Sequence, residues 1–252
     1  KAVQPGFVQL DVKELQKAPG VVEQDVIRSL QLLPGVSAAS DFSSGLYVRG
    51  GGPDQTLVLL DDTPVYNPTH AFGFFSTFNG DAIRDVTLYK SAYPAQYGGR
   101  LGSVLDVNNR EGDRQKLKGT GGASIIAARL TLEGPIDNGS VLVSARRTYL
   151  DPILSALRKG GNEIPAFYFY DVNARVNRAF GARNNFVLSA YHGRDDLNLD
   201  LDTGSFVNLN WGNTTVTGAL NHVFSPTLLG RLVANVSDYS SDTRVSFFET
   251  PA

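Results

Sequence analysis

The sequence predicts a small α+β domain of roughly 110 residues followed by a run of longer antiparallel strands. Three observations carry that prediction. Turn residues punctuate the chain densely up to about Asn109; a single amphipathic helical stretch lies among them; and beyond about Lys116 the segments lengthen, alternate with period two and gather aromatics toward their ends.

In Val21 to Leu33 the residues Val22, Val26, Ile27, Leu30 and Leu33 fall near helical spacing, and Pro34-Gly35 stops the helix. Gly45 to Arg49 and Thr56 to Leu60 read as strands, separated by Gly50, Gly51 and Gly52 with Pro53-Asp54, a tight turn in which positive φ is expected. Ile83 to Lys90 alternates between apolar and polar positions, and Ser103 to Val107 is a further short strand.

The clearest of the later segments is Ala166 to Phe180. Tyr168, Tyr170, Val172, Ala174 and Val176 share one face, and Asp171, Asn173, Arg175 and Asn177 share the other. A soluble sandwich and a membrane barrel write the same alternation with opposite meaning; segment length and aromatic placement favour the barrel. Short links at Gly134 to Ser140, Phe180 to Asn184 and Phe224 to Thr227 alternate with longer ones at Tyr149 to Pro165 and Asp202 to Phe206. That parity requires a hairpin within Leu117 to Glu133, reversing near Ser124 to Ala128. Phe186, Leu188 and Ala190 run in the opposite phase to Leu197, Leu199 and Leu201, which a bulge would reconcile. Of the neighbouring arginines Arg146 and Arg147, alternation sends one to the lumen and the other to the lipid boundary; it does not settle which is which, though Val141, Val143 and Ala145 suggest that Arg147 shares the lipid-side phase.

Composition narrows the function. The chain is 42% hydrophobic, enough for a core, and its net charge of -2 provides no basic field for nucleic acid. With no cysteine, thiolate metal sites and cysteine nucleophiles are excluded. His70, His192 and His222 lack metal spacing, and no nucleophile elbow accompanies them, so no catalytic residue, metal site or cofactor is assigned. Arg49 with its three glycines suggests an anion nest, but a phosphate loop opens a helix and this one opens a strand. Asp61 and Asp62 are adjacent and so cannot readily share one acid-base site; a turn or a contact between domains suits them better. The acidic run Asp195, Asp196, Asp200 and Asp202 lacks a calcium-loop spacing and reads as a loop or lumen face. Phe72, Phe74, Phe75 and Phe78 are too irregularly spaced for one face and read chiefly as packing residues.

With DVIRSLQLLPGV at 25–36, GLYVRGGGPDQTLVLLDDTPVYNP at 45–68, AFGFFSTFNGDAIRDVTLYKSAYPAQYGGRLGSVLDV at 71–107, and RLTLEGPI with VSARRTYLD at 129–136 and 143–151, the chain resembles TonB-dependent outer-membrane receptors of the Bacteroidetes type. The resemblance implies an α+β plug domain followed by antiparallel strands of a transmembrane β-barrel, incomplete here: about seven strands follow, against about 22 in a plugged transporter. It divides the chain into an N-terminal linker at 1–20, a plug at 21–113 and the first part of a barrel at 114–252. It implies gated, TonB-energised uptake, with a non-transporting subunit of an outer-membrane assembly as the alternative. The implied partners are the TonB-ExbB-ExbD complex, acting through a segment upstream of this chain, a surface lipoprotein and outer-membrane lipid. The resemblance assigns Arg49, Gly50, Gly51, Gly52, Asp61, Asp62 and Arg100 as plug-motif and gate residues. Arg146, Asp171 and Arg175 become the candidate plug-facing residues of the barrel. Asp62 stands where the family has glycine, and aspartate tolerates the left-handed turn.

Overall fold

The computed structural model describes residues 6–11, 25–40, 44–149, 166–200 and 205–246. The first domain is built on one five-stranded sheet. Its elements are β1 (Phe7–Asp11), α1 (Val26–Gln31), the short pair β2 (Val36–Ser37) and β3 (Tyr47–Val48), β4 (Thr56–Leu60), β5 (Thr63–Pro64), the short pair β6 (Thr69–His70) and β7 (Phe75–Ser76), β8 (Ile83–Tyr89) and β9 (Ser103–Asn109). The sheet order is β1-β8-β9-β4-β5, and β4 runs parallel to β9 while its other neighbours are antiparallel. Val26, Ile27 and Leu30 of α1 pack with Val86, Leu88, Leu105 and Val107 of the central strands in a single apolar core.

Several expectations are corrected in detail. Phe7–Asp11, placed in a linker by the sequence, form the edge strand β1; its alternating Phe7, Gln9 and Asp11 pair with Tyr89, Thr87 and Asp85. The helix begins at Val26 rather than Val21, because Asp25 is extended and its carboxylate accepts the Arg28 N–H at 3.0 Å, a capping bond that fixes the first turn. Residues 21–24 lie outside the described ones. In the glycine run, positive φ falls on Arg49 (51°) and Gly50 (86°). Gly51 and Gly52 serve for space instead: a Cβ on Gly52 would stand 2.5 Å from the Asp54 carboxylate, and one on Gly51 3.2 Å from the Val48 carbonyl.

Seven antiparallel strands follow, each paired to its sequence neighbour: β10 (Lys118–Ala123), β11 (Ala127–Ile136), β12 (Gly139–Thr148), β13 (Ala166–Phe180), β14 (Asn184–Asp200), β15 (Phe206–Ser225) and β16 (Leu228–Ser246). The expected hairpin is present, with β10 and β11 reversing between Ala123 and Ala127. No bulge interrupts β14, whose register to both neighbours is unbroken; the bulge lies in β15, between Val223 and Ser225. The phase conflict arises because the inward side of β14 itself turns apolar toward its far end, where Tyr191 joins the core of the first domain and Leu197 is buried.

The wall has two opposite faces. Inward stand Thr131, Ser144, Asn173, Ser189 and Thr215, all buried against the first domain. Outward, one cross-strand row runs Leu132, Val143, Ala174, Ala190, Val216, Val236, and the next runs Val141, Val176, Leu188, Gly218, Ala234. Small and branched apolar residues, on strands of 10 to 20 residues, suit hydrocarbon. Aromatics border this band at both ends: Tyr168 beneath the Arg147 guanidinium at 5.1 Å, and Phe180 beneath that of Arg178 at 5.1 Å. Arg147 therefore lies on the outward face and Arg146 inside.

Two predictions follow from this organisation. Leu188→Arg places a charge on the outward face, which should destabilise the membrane-inserted protein by about 2–4 kcal/mol; equal urea midpoints for variant and native protein in bilayers would remove the lipid assignment. In the first domain, burial raises the Asp106 carboxyl to about 6, helped by the charge of Asp62 and, further down, of Asp85 and Asp61, against a hydrogen bond from Tyr97. The folded carboxyl thus holds its proton more tightly than the unfolded one, so its contribution to stability falls as pH rises from about 4 through 6. Asp106→Asn should accordingly be more stable than the native protein at pH 7.5, with the gap narrowing toward pH 4; a gap constant with pH would refute the assignment.

Candidate gate between plug and wall

The seam between the first domain and the wall is polar, and each charge in it has an opposite partner, as removal from water demands. Its lower half is the turn after β4. Asp61 (φ 47°) and Asp62 (φ 68°) are both left-handed, which breaks strand alternation and lets both carboxylates reach the wall. Asp61 accepts from Arg175 Nη1 on β13 at 2.6 Å, from Ser189 on β14, and from the Asn109 backbone N–H at 3.1 Å and side-chain amide at 2.7 Å. Asp62 accepts from Arg231 on β16 at 2.5 Å. The chain then stays tied to the wall: Thr63 meets Thr217, the Pro64 carbonyl accepts from Ser237 at 2.6 Å, and the Tyr66 N–H donates to Asn213 at 3.0 Å.

The upper half centres on His70. Its Nδ1 lies 2.5 Å from Asp195 on β14 and its Nε2 3.5 Å from Asp171 on β13, and the ring stacks on Phe169 with centroids 4.3 Å apart. All three polar residues are at most 1% exposed. Burial alone would lower the imidazole pKa; the hydrogen bonds and charges of Asp171 and Asp195 outweigh it and leave it raised. The two carboxylates thus favour the protonated form of the ring held between them. Asp195 also accepts the Ala71 N–H at 2.9 Å, and Asp171 accepts Arg146 Nε at 2.8 Å. Arg146 in turn donates to the Ser76 carbonyl at 2.8 Å, so one wall arginine neutralises a wall carboxylate and grips the plug. Asn79 with Ser144 at 2.8 Å and Arg110 with Glu133 at 2.6 Å extend the seam toward β11 and β12.

The structure places the sequence-predicted residues unevenly. Asp61, Asp62, Arg146, Asp171 and Arg175 are all in the seam. Arg49 instead hydrogen-bonds Ser91 at 2.8 Å, inside the plug, and Gly50 to Gly52 shape its turn. Arg100 is exposed and lines a plug cleft of about 600 Å³ together with Asp54 and Tyr66. Asp195 belongs to the gate, whereas the neighbouring Asp196 faces outward, and Asp202 lies outside the described residues. Sequence reasoning passed over His70, Ser189 and Arg231: His70 was judged by metal spacing, and its partner Asp195 stands 125 positions away. The phenylalanines divide, with Phe78 in the core at 2% exposure and Phe72 exposed at 66%, its ring 5.0 Å from that of Trp211 on the wall.

Among the described residues no group of three or more His, Asp or Glu is arranged to hold a metal ion. The seam's groups are engaged with each other, so the arrangement can hold and release one body against another.

Comparison with known proteins agrees with this architecture. Residues 5–104 match the family model described as TonB-dependent Receptor Plug Domain. The ferrienterobactin receptor of Escherichia coli (strain K12) is 26% identical over 126 residues, covering 43% of this chain and 17% of that receptor. Among solved structures, a mutant of the ferric enterobactin receptor PfeA from Pseudomonas aeruginosa superposes with TM-score 0.56 at 14% identity, covering 96% of this chain and 46% of the other. The copper transporter OprC gives 0.64 at 13%, covering 96% and 38%. The outer-membrane transporter YddB from Escherichia coli gives 0.53 at 13%, covering 98% and 46%. At such identities the structures speak for the fold alone, and the chain spans less than half the length of each of these relatives. Residues 5–104 are thus similar to a TonB-dependent receptor plug domain, and the antiparallel strands that follow in the same chain resemble part of such a receptor's barrel.

Proposed function

We propose that this chain supplies the plug and the first wall strands of a TonB-dependent receptor for gated outer-membrane uptake, of the Bacteroidetes type that its motifs resemble. The observation that carries the proposal is the buried charged seam, in which Asp61 meets Arg175 and His70 meets Asp195 across the plug–wall boundary. Contacts of this kind are strong while water is excluded and replaceable once it enters, which suits a stopper that must be held and then moved. In this reading the TonB-ExbB-ExbD complex pulls on a segment upstream of the chain, and the short turns face the periplasm. A surface lipoprotein covers the opposite end, and lipid surrounds the apolar band. Two of the named relatives are receptors for iron chelates and one is a copper transporter, so metal ions and their chelates are the first cargo class to test.

Two measurements test the gate. The chain has no cysteine, and the Thr63 and Thr217 side chains meet, so a Thr63→Cys/Thr217→Cys pair gives a single tether between plug and wall. Oxidised, the whole receptor should lose uptake of its cargo, and reductant should restore it; full uptake by the cross-linked protein would show that this part of the plug stays in place. In a double-mutant cycle, Asp61→Asn and Arg175→Gln should each destabilise the folded receptor by about 3–5 kcal/mol, because each leaves a buried charge unpaired. The double variant should lose much less than the sum; strict additivity in denaturant unfolding would mean that the pair is not coupled.

A further inference from the structure

On the outward face, at the end away from the short turns, β14, β15 and β16 carry a polar notch that takes no part in the gate. The registers align Arg194 with Gly212 and Ser240, His192 with Thr214, and Asp196 with Asn210 and Asp242. These positions share the parity of Leu188, Val216 and Val236, so they face the lipid side. Gly212 creates the gap: a Cβ there would stand 2.4 Å from the Gly193 carbonyl oxygen, and in its absence a cavity of about 240 Å³ opens between Arg194 and Ser240.

The groups around it are arranged to bind. Arg194 donates one of its five N–H groups to Asn210 at 3.0 Å, which orients the guanidinium. His192 is held between the Tyr170 hydroxyl at 3.1 Å and Thr214 at 2.9 Å. Asp242, the acidic member, is paired with Arg244 at 3.0 Å. The His192–Thr214 row lies immediately beyond the apolar row of Ala190, Val216 and Val236, which sets the notch at the edge of the hydrocarbon band, where Tyr168 and Tyr170 also stand.

We propose that this notch seats the phosphorylated headgroup of an outer-leaflet glycolipid. Its phosphate lies on Arg194, beside the His192 ring that Tyr170 and Thr214 hold in place; its sugar hydroxyls meet Asn210, Ser240 and Asp242, and its acyl chains run down over Val216, Leu220 and Val236. A planar guanidinium with N–H groups to spare suits a phosphate. The amide, hydroxyl and carboxylate next to them suit sugar hydroxyls better than the headgroup of a simple phospholipid. The proposal rests on the outer-membrane reading above, and it adds an annular lipid site on the outside of the wall, separate from cargo and gate.

The test uses the whole receptor, purified in mild detergent and offered a bis-phosphorylated lipid A disaccharide, phosphatidylglycerol or phosphatidylcholine, with bound lipid counted by native mass spectrometry. The lipid A adduct should form in preference to both phospholipids. In Arg194→Gln it should weaken by about tenfold or more, as expected when a charge-assisted bond to phosphate is removed. Ser240→Ala, a milder change, should weaken it less, and heat-modified gel mobility reports whether each variant is folded. A folded variant that keeps its lipid A overturns the notch while leaving the uptake reading intact. Phosphatidylglycerol bound as well as lipid A and lost with the same variants overturns the glycolipid assignment. A receptor that does not fractionate with the outer membrane overturns this proposal together with the uptake reading.

Discussion

The contact between Asp61 and Arg175 sets the terms for the rest of the molecule. A carboxylate withdrawn from water is tolerated only with an opposite charge and further hydrogen bonds, and Asp61 has all of them: a guanidinium and a hydroxyl from the wall, and two N–H groups from Asn109 at the end of β9. The plug therefore cannot present this carboxylate without the wall, nor the wall its arginine without the plug. A related arrangement occurs at His70, where the imidazole belongs to the plug and both carboxylates that favour its protonation to the wall. Exchanging the polarity of the pairs along the seam fixes register as well as attachment. A plug displaced along the wall would bring Asp61 toward Asp171, or His70 toward Arg175, and like charges would meet.

The same contacts hold a strained backbone. Among the described residues eight non-glycine positions have positive φ, and five of them, Asp61, Asp62, Asn67, Ala71 and Phe72, lie in the stretch that faces the wall. Such conformations cost on the order of 1–3 kcal/mol each and persist only where surroundings impose them. Here the surroundings are identifiable: Arg175 and Asn109 fix Asp61, Arg231 fixes Asp62, and Asp195 holds the Ala71 N–H beside the exposed Phe72. Loss of the seam would thus release strain while exposing charge. The two effects oppose each other.

Much of this architecture was legible in the sequence because it rests on local rules. Period-two alternation in Ala166 to Phe180 separated Asp171 and Arg175 from Val172 and Val176, and turn parity required the β10–β11 hairpin. Alternation also put Arg146 and Arg147 on opposite faces, and the contacts in the structure decide which is which. What escaped was non-local. Nothing near His70 announces a carboxylate 125 residues away, and Ser189 has no motif of its own. Arg49 misled in the opposite direction, since a motif position invited a gate role that its bond to Ser91 directs elsewhere. Phe7–Asp11 escaped because an edge strand of five residues needs only the pairing that β8 provides, and its own sequence looks like a linker. The phase shift in β14 misled for a physical reason: alternation reports polarity, and a wall whose inward face takes up apolar residues such as Tyr191 and Leu197 along one strand changes phase without any change in register.

Arg146 and Arg147 show how one strand serves two environments at a separation of a single residue. The first loses water, joins Asp171 and reaches the Ser76 carbonyl; the second keeps its charge at the lipid boundary over the Tyr168 ring. Neither role is written in the side chain, since both are arginine; each is written in the pleat, which sends neighbours to opposite faces. The consequence reaches beyond this pair. Along β14 the residues of odd number, Ser189, Tyr191 and Asp195, face the plug, while those of even number, Leu188, His192 and Arg194, face outward. A register slip of one residue would exchange the two sets, burying Arg194 against the plug and turning Asp195 to lipid, so the continuous register of these long strands is what keeps a charged gate and an apolar exterior on one thin wall.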